Sequence, residues 1–172
     1  MFRKMLIIFF GSILCISYVA QATAAQSQKS VEDDQIIIGA LEKIRILPAN
    51  IIYDSRIDTG ATTTSIHAGN IEFFERDGKK WVKFELQGED KTEVVEMKIK
   101  EFRNIKRHGA PDQKRAVVTL HLVLGKVSQD VDVTLNDRSK FTYPGLIGRN
   151  FLKPNNIIVD VSKEYTVNPA QK

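Results

Sequence analysis

Cysteine is nearly absent. The one such residue, Cys15, lies in an apolar opening run, and nothing after it can close a disulfide within the chain. Histidine occurs three times, as His67, His108 and His121, with no pair at metal-ligand spacing and no HExxH segment. A GxxxxGK phosphate loop is missing too, so the residues point to no metal and no cofactor. Helical periodicity is lacking throughout, apart from a short helix candidate at 148–153. There is no internal repeat and no low-complexity tract.

A large charge of one sign is also lacking. Residues 1–24 read as a secretory signal peptide: Arg3 and Lys4, an apolar run from Met5 to Ala20, then the small residues Ala22-Thr23-Ala24. An uncleaved N-terminal anchor is the alternative, for which the run falls short of the about 20 apolar residues of a span. Cys15 follows Leu14 where lipid attachment wants a small residue. Cleavage removes two basic residues and lowers the formal charge from +4 to +2, which argues against nucleic acid or a membrane surface as the partner. An exported chain with no disulfide is expected to be periplasmic or secreted.

What is present is β-rich. After a polar leader at 25–35, residues 36–170 are long enough for one domain. Strands are expected near 36–47, 51–57, 71–76, 80–87, 92–100, 115–124, 127–135, 157–161 and 164–167, separated by turn residues, which makes the protein all-β. Asp77-Gly78 supplies the torsions of a tight hairpin inside IEFFERDGKKWVKFEL. The flanking Phe73, Phe74, Trp81 and Phe84 are expected in the core or on the barrel surface, with Trp81 as a candidate to line a peptide groove. The basic stretch 98–115 reads as a solvated loop, or else as a rim that attracts acidic peptide.

Two segments carry chemistry. RIDTGATTTSIHA sets Asp58 at the end of an apolar strand, where lost hydration disfavours a carboxylate unless something partners it. Ninety residues later comes TYPGLIGRNFLKPNNIIVDVSKEYTV, in which Leu-Ile-Gly-Arg-Asn closes into a last strand. With both in order, the chain resembles the retropepsin-type aspartic proteases. Within them it is similar to a bacterial family often labelled "ATP-dependent zinc protease", found also as the protease partner of glutamate-ligase systems. The expected fold is then a retropepsin-like acid-protease barrel with one short C-terminal helix.

The resemblance implies roles by position. Asp58 would be the catalytic carboxylate, Thr59 the hydroxyl that braces the active-site loops, and Gly60 and Ala61 the backbone along a bound peptide. Leu146, Ile147 and Gly148 would pack behind that loop, with Arg149 opening the short helix. Asp77 and Gly78 would sit at the tip of a flap, with Trp81 beneath it. Retropepsins carry an acidic residue one place after the DTGA alanine as the partner of the helix arginine; here that residue is Thr62, so Arg149 needs another partner.

Peptide hydrolysis by carboxylates requires two of them within a few ångströms, sharing one proton. With one DTG per chain, a homodimer contributing Asp58 from each subunit is expected, acting on a peptide or protein substrate. A second acid in cis is the rival arrangement, with Asp160, Asp54 and Asp137 as candidates. Two other classes remain open at this point: a non-catalytic peptide- or partner-binding module on the same barrel, and a zinc metallopeptidase as the family label suggests. His67 is expected in a solvated or hydrogen-bonded role, and His121, in an alternating strand, as a core or edge residue.

Overall fold

The computed structural model describes residues 35–107 and 109–168, all but Gln35 within one unit, so the expected signal peptide, most of the leader and His108 lie outside the described residues. Strands follow one another as β1 (Ile36–Gly39), β2 (Leu41–Leu47), β3 (Ile51–Ile57), β4 (Thr64–His67), β5 (Gly69–Arg76), β6 (Lys79–Gln87) and β7 (Thr92–Lys98). They continue as β8 (Glu101–Arg107), β9 (Ala110–Leu124), β10 (Val127–Asn136) and β11 (Gly145–Ile147), then the helix α1 (Arg149–Leu152) and β12 (Ile157–Asp160). The protein is all-β with one short helix.

Alternation explains the strands. In β3, Ile51, Tyr53, Ser55 and Ile57 are buried while Ile52 and Arg56 face solvent, the two-residue period of a strand with one wet face. The strand order β10-β4-β11-β3-β2-β9 closes when β9 pairs back with β10, so six strands form a barrel whose shortest member, β11, has neighbours on both sides. Tyr53, Phe84, Phe151, Ile44, Ile46, Ile66 and Leu122 are among the most deeply buried side chains of one continuous core. A second sheet, β5-β6-β7, turns at Asp77 and Gly78, whose φ angles of 51° and 66° are those of a primed hairpin turn. Ile99 N donates to Lys80 O at 2.9 Å and Lys100 N to Val117 O at 2.9 Å, which fastens the two sheets together.

Two expectations are corrected. The basic stretch 98–115 is no loop but the end of β7 and the β8–β9 hairpin, paired from Glu101↔Val117 to Arg107↔Ala110. The backbone stays paired while charged side chains alternate onto both faces of the ladder, so a charge run and a strand are compatible. Residues 164–167 form no strand. Instead they wrap onto Glu42, a carboxylate with no exposed area that accepts from Thr166 N at 3.0 Å, Thr166 Oγ1 at 2.5 Å, Val167 N at 3.1 Å and Gly39 N at 2.6 Å. That carboxylate takes the amides a neighbouring strand would otherwise satisfy. Nothing in the sequence periodicity marks the strands β4 and β11, which are short and rich in polar or glycine residues.

Tyr53 lies against both sheets: its hydroxyl donates to His67 O at 3.4 Å and accepts from Gln87 N at 3.1 Å. Burial pushes this hydroxyl from its ordinary 10.0 up to about 12. The unfolded chain therefore ionises first as pH rises, so stability is intact below about pH 10 and falls between about pH 10 and 12. Urea unfolding at about pH 9 and pH 11 should show the parent losing about 1 kcal/mol more than Tyr53→Phe over that step. Equal losses would mean that the hydroxyl does not titrate differently in the two states.

Candidate active site

Asp58 is the first residue beyond β3. Its amide continues the β3–β11 parallel pairing by donating to Ile147 O at 2.9 Å, so the strand that carries Leu-Ile-Gly positions the acid directly. The chain then turns on the acid's own side chain: Oδ1 accepts from Gly60 N at 2.9 Å and from Ala61 N at 3.0 Å. An Asp followed by Thr-Gly does this because a short carboxylate can bond amides two and three residues on. Both bonds fall on one oxygen, and the residue is half-buried, which leaves it accessible to a reactant.

The loop is then clamped from α1. Arg149 donates from Nη1 to Thr59 O at 2.8 Å and Gly60 O at 2.7 Å, and from Nη2 to Thr62 Oγ1 at 3.0 Å. The acidic partner absent at position 62 is thus replaced by two carbonyls and a hydroxyl. Thr59 itself is exposed, and the chain uses its carbonyl for the clamp. Of the expected supports, Ile147 O accepts from Asp58 N, Arg149 clamps the carbonyls of Thr59 and Gly60, Ala61 O accepts from Arg149 N at 2.9 Å, and Leu146 pairs with Arg56 and Ser65 in the neighbouring strands.

Two supports were not singled out from the sequence. Thr64, without exposed area, accepts from Gly148 N at 3.2 Å and donates to Asn150 Oδ1 at 2.9 Å, while Asn150 Nδ2 reaches Asp132 O at 2.8 Å. The signal available was the threonine run 62–64 set against Arg-Asn, but hydroxyls in series read as loop rather than as crosslinks. Glycine is required at both ends of β11. A Cβ at Gly145 would lie 2.8 Å from Ser55 Cβ, and one at Gly148 would lie 2.7 Å from Thr63 C.

Arg138 is the second basic group of the site. It is buried, packs 4.5 Å over Phe141, donates from Nε to Tyr143 O at 3.1 Å, and gives its backbone N–H to His67 Nδ1 at 2.9 Å. Burial, then the neighbouring Arg115, lowers its pKa, and the charge of Asp58 acts in the opposite sense. His67, whose pKa burial lowers, serves as an acceptor for this loop. Arg103, on β8, donates to Thr63 Oγ1 at 2.6 Å and ties the basic hairpin to the segment after Asp58.

The candidate acids in cis are engaged elsewhere. Asp54 pairs with Lys43 at 2.9 Å. Asp137 accepts from Ser139 N at 2.9 Å. Asp160 accepts from Ser162 N and Oγ and from Lys163 Nζ, which brings its carboxyl down to about 2. His121 lies between Asp130 Oδ1 and Ser128 Oγ, both at 2.7 Å, in the order of a hydrolase triad; Asp130 is 72% exposed, so this is a solvated ladder on the β9–β10 hairpin. Among the described residues no group of three or more His, Cys, Asp or Glu side chains could hold a metal ion. The Asp77-Gly78 turn caps β5–β6, with Trp81 stacked on Phe74 at 6.3 Å.

One Asp-Thr-Gly loop braced on a Leu-Ile-Gly-Arg segment within a closed barrel has the make-up of a retropepsin-type fold. The chain belongs to the RimB-like family, described as retropepsin-like aspartic endopeptidase RimB, whose model matches residues 37–170. It is 34% identical over 140 residues to a probable alpha-L-glutamate ligase of Shewanella pealeana, across 78% of this chain and 30% of that protein. A probable alpha-L-glutamate ligase of Desulfotalea psychrophila is 33% identical over 122 residues, 69% of this chain and 26% of its own length. The chain thus spans less than a third of these relatives. A solved structure from Legionella pneumophila, of unknown function, is similar with a TM-score of 0.67 and 29% identity, across 77% of this chain and 98% of that one.

Thr64→Val tests the brace. It leaves a buried Gly148 amide and one Asn150 bond unpaired, and urea unfolding should register a loss of about 2 kcal/mol. Arg149→Met, whose side chain is more exposed, should cost about 1 kcal/mol or less while quickening amide exchange at Gly60 and Ala61. Unchanged exchange in Arg149→Met would remove the clamp.

Proposed function

We propose that the chain is an exported aspartic endopeptidase that acts as a homodimer in the periplasm or outside the cell. The observation that carries this reading is Asp58: one carboxylate per chain, held through a single oxygen by the amides of Gly60 and Ala61, at the tip of a loop clamped by Arg149. Two such loops meeting at a two-fold axis give two carboxyls that share one proton. The ionised one takes a proton from water as the oxygen attacks the peptide carbonyl carbon, and the protonated one donates to the carbonyl oxygen. Return of a proton to the peptide nitrogen lets the C–N bond break, leaving a carboxyl and an amine. The opening residues 1–24 support export.

The substrate we infer is an acidic peptide. Arg138 lies near enough to Asp58 to feel its charge and that of Arg115, and the hairpin segment 98–115 carries seven Lys or Arg against two acidic residues. The relatives named as glutamate ligases fit a substrate of that charge. A binding module on the same barrel is the second reading, favoured by Thr62 where retropepsins have an acid.

Asp58→Asn should lower peptide cleavage at least about 10³-fold, of the order expected when an essential catalytic group is removed, with the fold retained. Sedimentation should give twice the chain mass, and Asp160→Asn should cleave normally. An active monomer, or full cleavage by Asp58→Asn, refutes the dimeric protease. Arg115→Gln should raise KM for a glutamate-rich peptide several-fold more than for a neutral one.

A further inference from the structure

A groove of about 420 Å³ runs between the β5–β6 hairpin and the β8–β9 hairpin. Its size falls within the about 300–1,000 Å³ of small-ligand sites. Phe73 and Phe102 meet edge to face at 5.5 Å to form one wall, with Ile99 and Phe74 completing the apolar lining. Phe73 is 56% exposed, an unusual position for an aromatic in a strand whose cross-strand partner, Val82, is wholly buried. Two ammonium groups overlook the same ring: Lys114 Nζ is 4.5 Å and Lys80 Nζ 5.9 Å from the centre of Phe102. Neither lysine has a carboxylate within ion-pair distance among the described residues, and Glu75 is the one acidic side chain of the lining.

The groove is separate from the Asp58 site. In the β8–β9 ladder Arg103 stands opposite Arg115, and Arg103 reaches Thr63 beside the catalytic loop. Phe102 and Lys114 are each one residue away from that pair, so strand alternation turns them to the other face. An exposed aromatic wall with unpaired cations above it suits a ligand that is itself apolar and anionic. The aromatic rings take an apolar side chain, and the ammonium groups take carboxylates beside it.

We infer that this groove is a second peptide-binding site, which takes an acidic segment bearing one aromatic side chain flanked by carboxylates. It holds such a segment whether or not Asp58 cleaves it. The occupant touches Phe73 and Phe102 through its ring and Lys80 and Lys114 through its carboxylates. In a protease, such a site would tether one stretch of a long substrate while another enters the cleavage site, which raises the effective concentration of the second stretch.

The single tryptophan of the chain supplies the readout, because Trp81 stacks on Phe74 and Phe74 lines the groove. The mature full-length protein carrying Asp58→Asn, which leaves the probe uncut, is titrated with acetylated and amidated Glu-Glu-Phe-Glu-Glu. A saturable change in tryptophan emission is expected, weakened at least about tenfold by Lys80→Glu combined with Lys114→Glu and by high salt. Both lysines are exposed, so that variant keeps its fold, as circular dichroism will verify. The Lys-Lys-Phe-Lys-Lys peptide should not bind. Absence of saturation, or equal affinity in the double variant, overturns the site, and the second result would send the peptide to the Asp58 cleft. Emission changes produced instead by phosphatidylglycerol vesicles or by self-association of the protein would assign the groove to a membrane or to a second copy and overturn it as well. Because the probe is read without cleavage, its failure leaves the protease reading untouched.

Discussion

Everything at the candidate site hangs on a strand three residues long. β11 lies between β3, to which it is parallel, and β4, to which it is antiparallel, and it fits there because glycines at 145 and 148 let its ends touch Ser55 and Thr63. Backbone groups in a barrel wall must be paired, so a strand this short survives only with a neighbour on each edge. The next amide after that pairing belongs to Asp58, bonded to Ile147 O at 2.9 Å. The acid is therefore fixed by the barrel ladder itself, and the loop after it only has to turn. Sub-ångström placement of a reacting carboxylate is what catalysis by positioning demands.

The parts of this arrangement that could be read in the sequence are those in which local chemistry and global fold agree. Ile51 to Ile57 alternates cleanly, Asp77-Gly78 has the only economical backbone for its turn, and Asp-Thr-Gly with Leu-Ile-Gly-Arg-Asn names both halves of the loop support. The parts that escaped are those in which polar residues do structural work. Thr64, Ser65 and Ile66 make a buried strand whose first two side chains look like loop residues, because Thr64 is satisfied by Asn150 and Gly148 from 84 to 86 residues away. Charge hides β8 and the first part of β9, residues 101–114, whereas the rest of β9 reads as a strand. Glu42 reads as a surface residue, and the donors that allow its burial come from Gly39 N and from the distant tail at 166–167.

The replacement of an acid by Thr62 has an electrostatic consequence. An arginine paired with a carboxylate is neutral at a distance, whereas Arg149 bonded to Thr59 O, Gly60 O and Thr62 Oγ1 keeps its full charge while holding the loop equally firmly. Arg138, buried near Asp58, adds a second positive charge in a region of low dielectric, where charges act over longer distances than in water. Arg138 and Arg149 are thus two guanidiniums near the Asp58 loop whose side-chain hydrogen bonds go to carbonyls and a hydroxyl. Their field draws in anionic chains and repels cationic ones before any contact is made. A site that keeps the retropepsin scaffold but trades the internal ion pair for carbonyl bonds leaves Arg149 without a paired carboxylate among the described residues. On the proposed protease reading, this charge, more than the fit of an apolar side chain, selects substrates at Asp58.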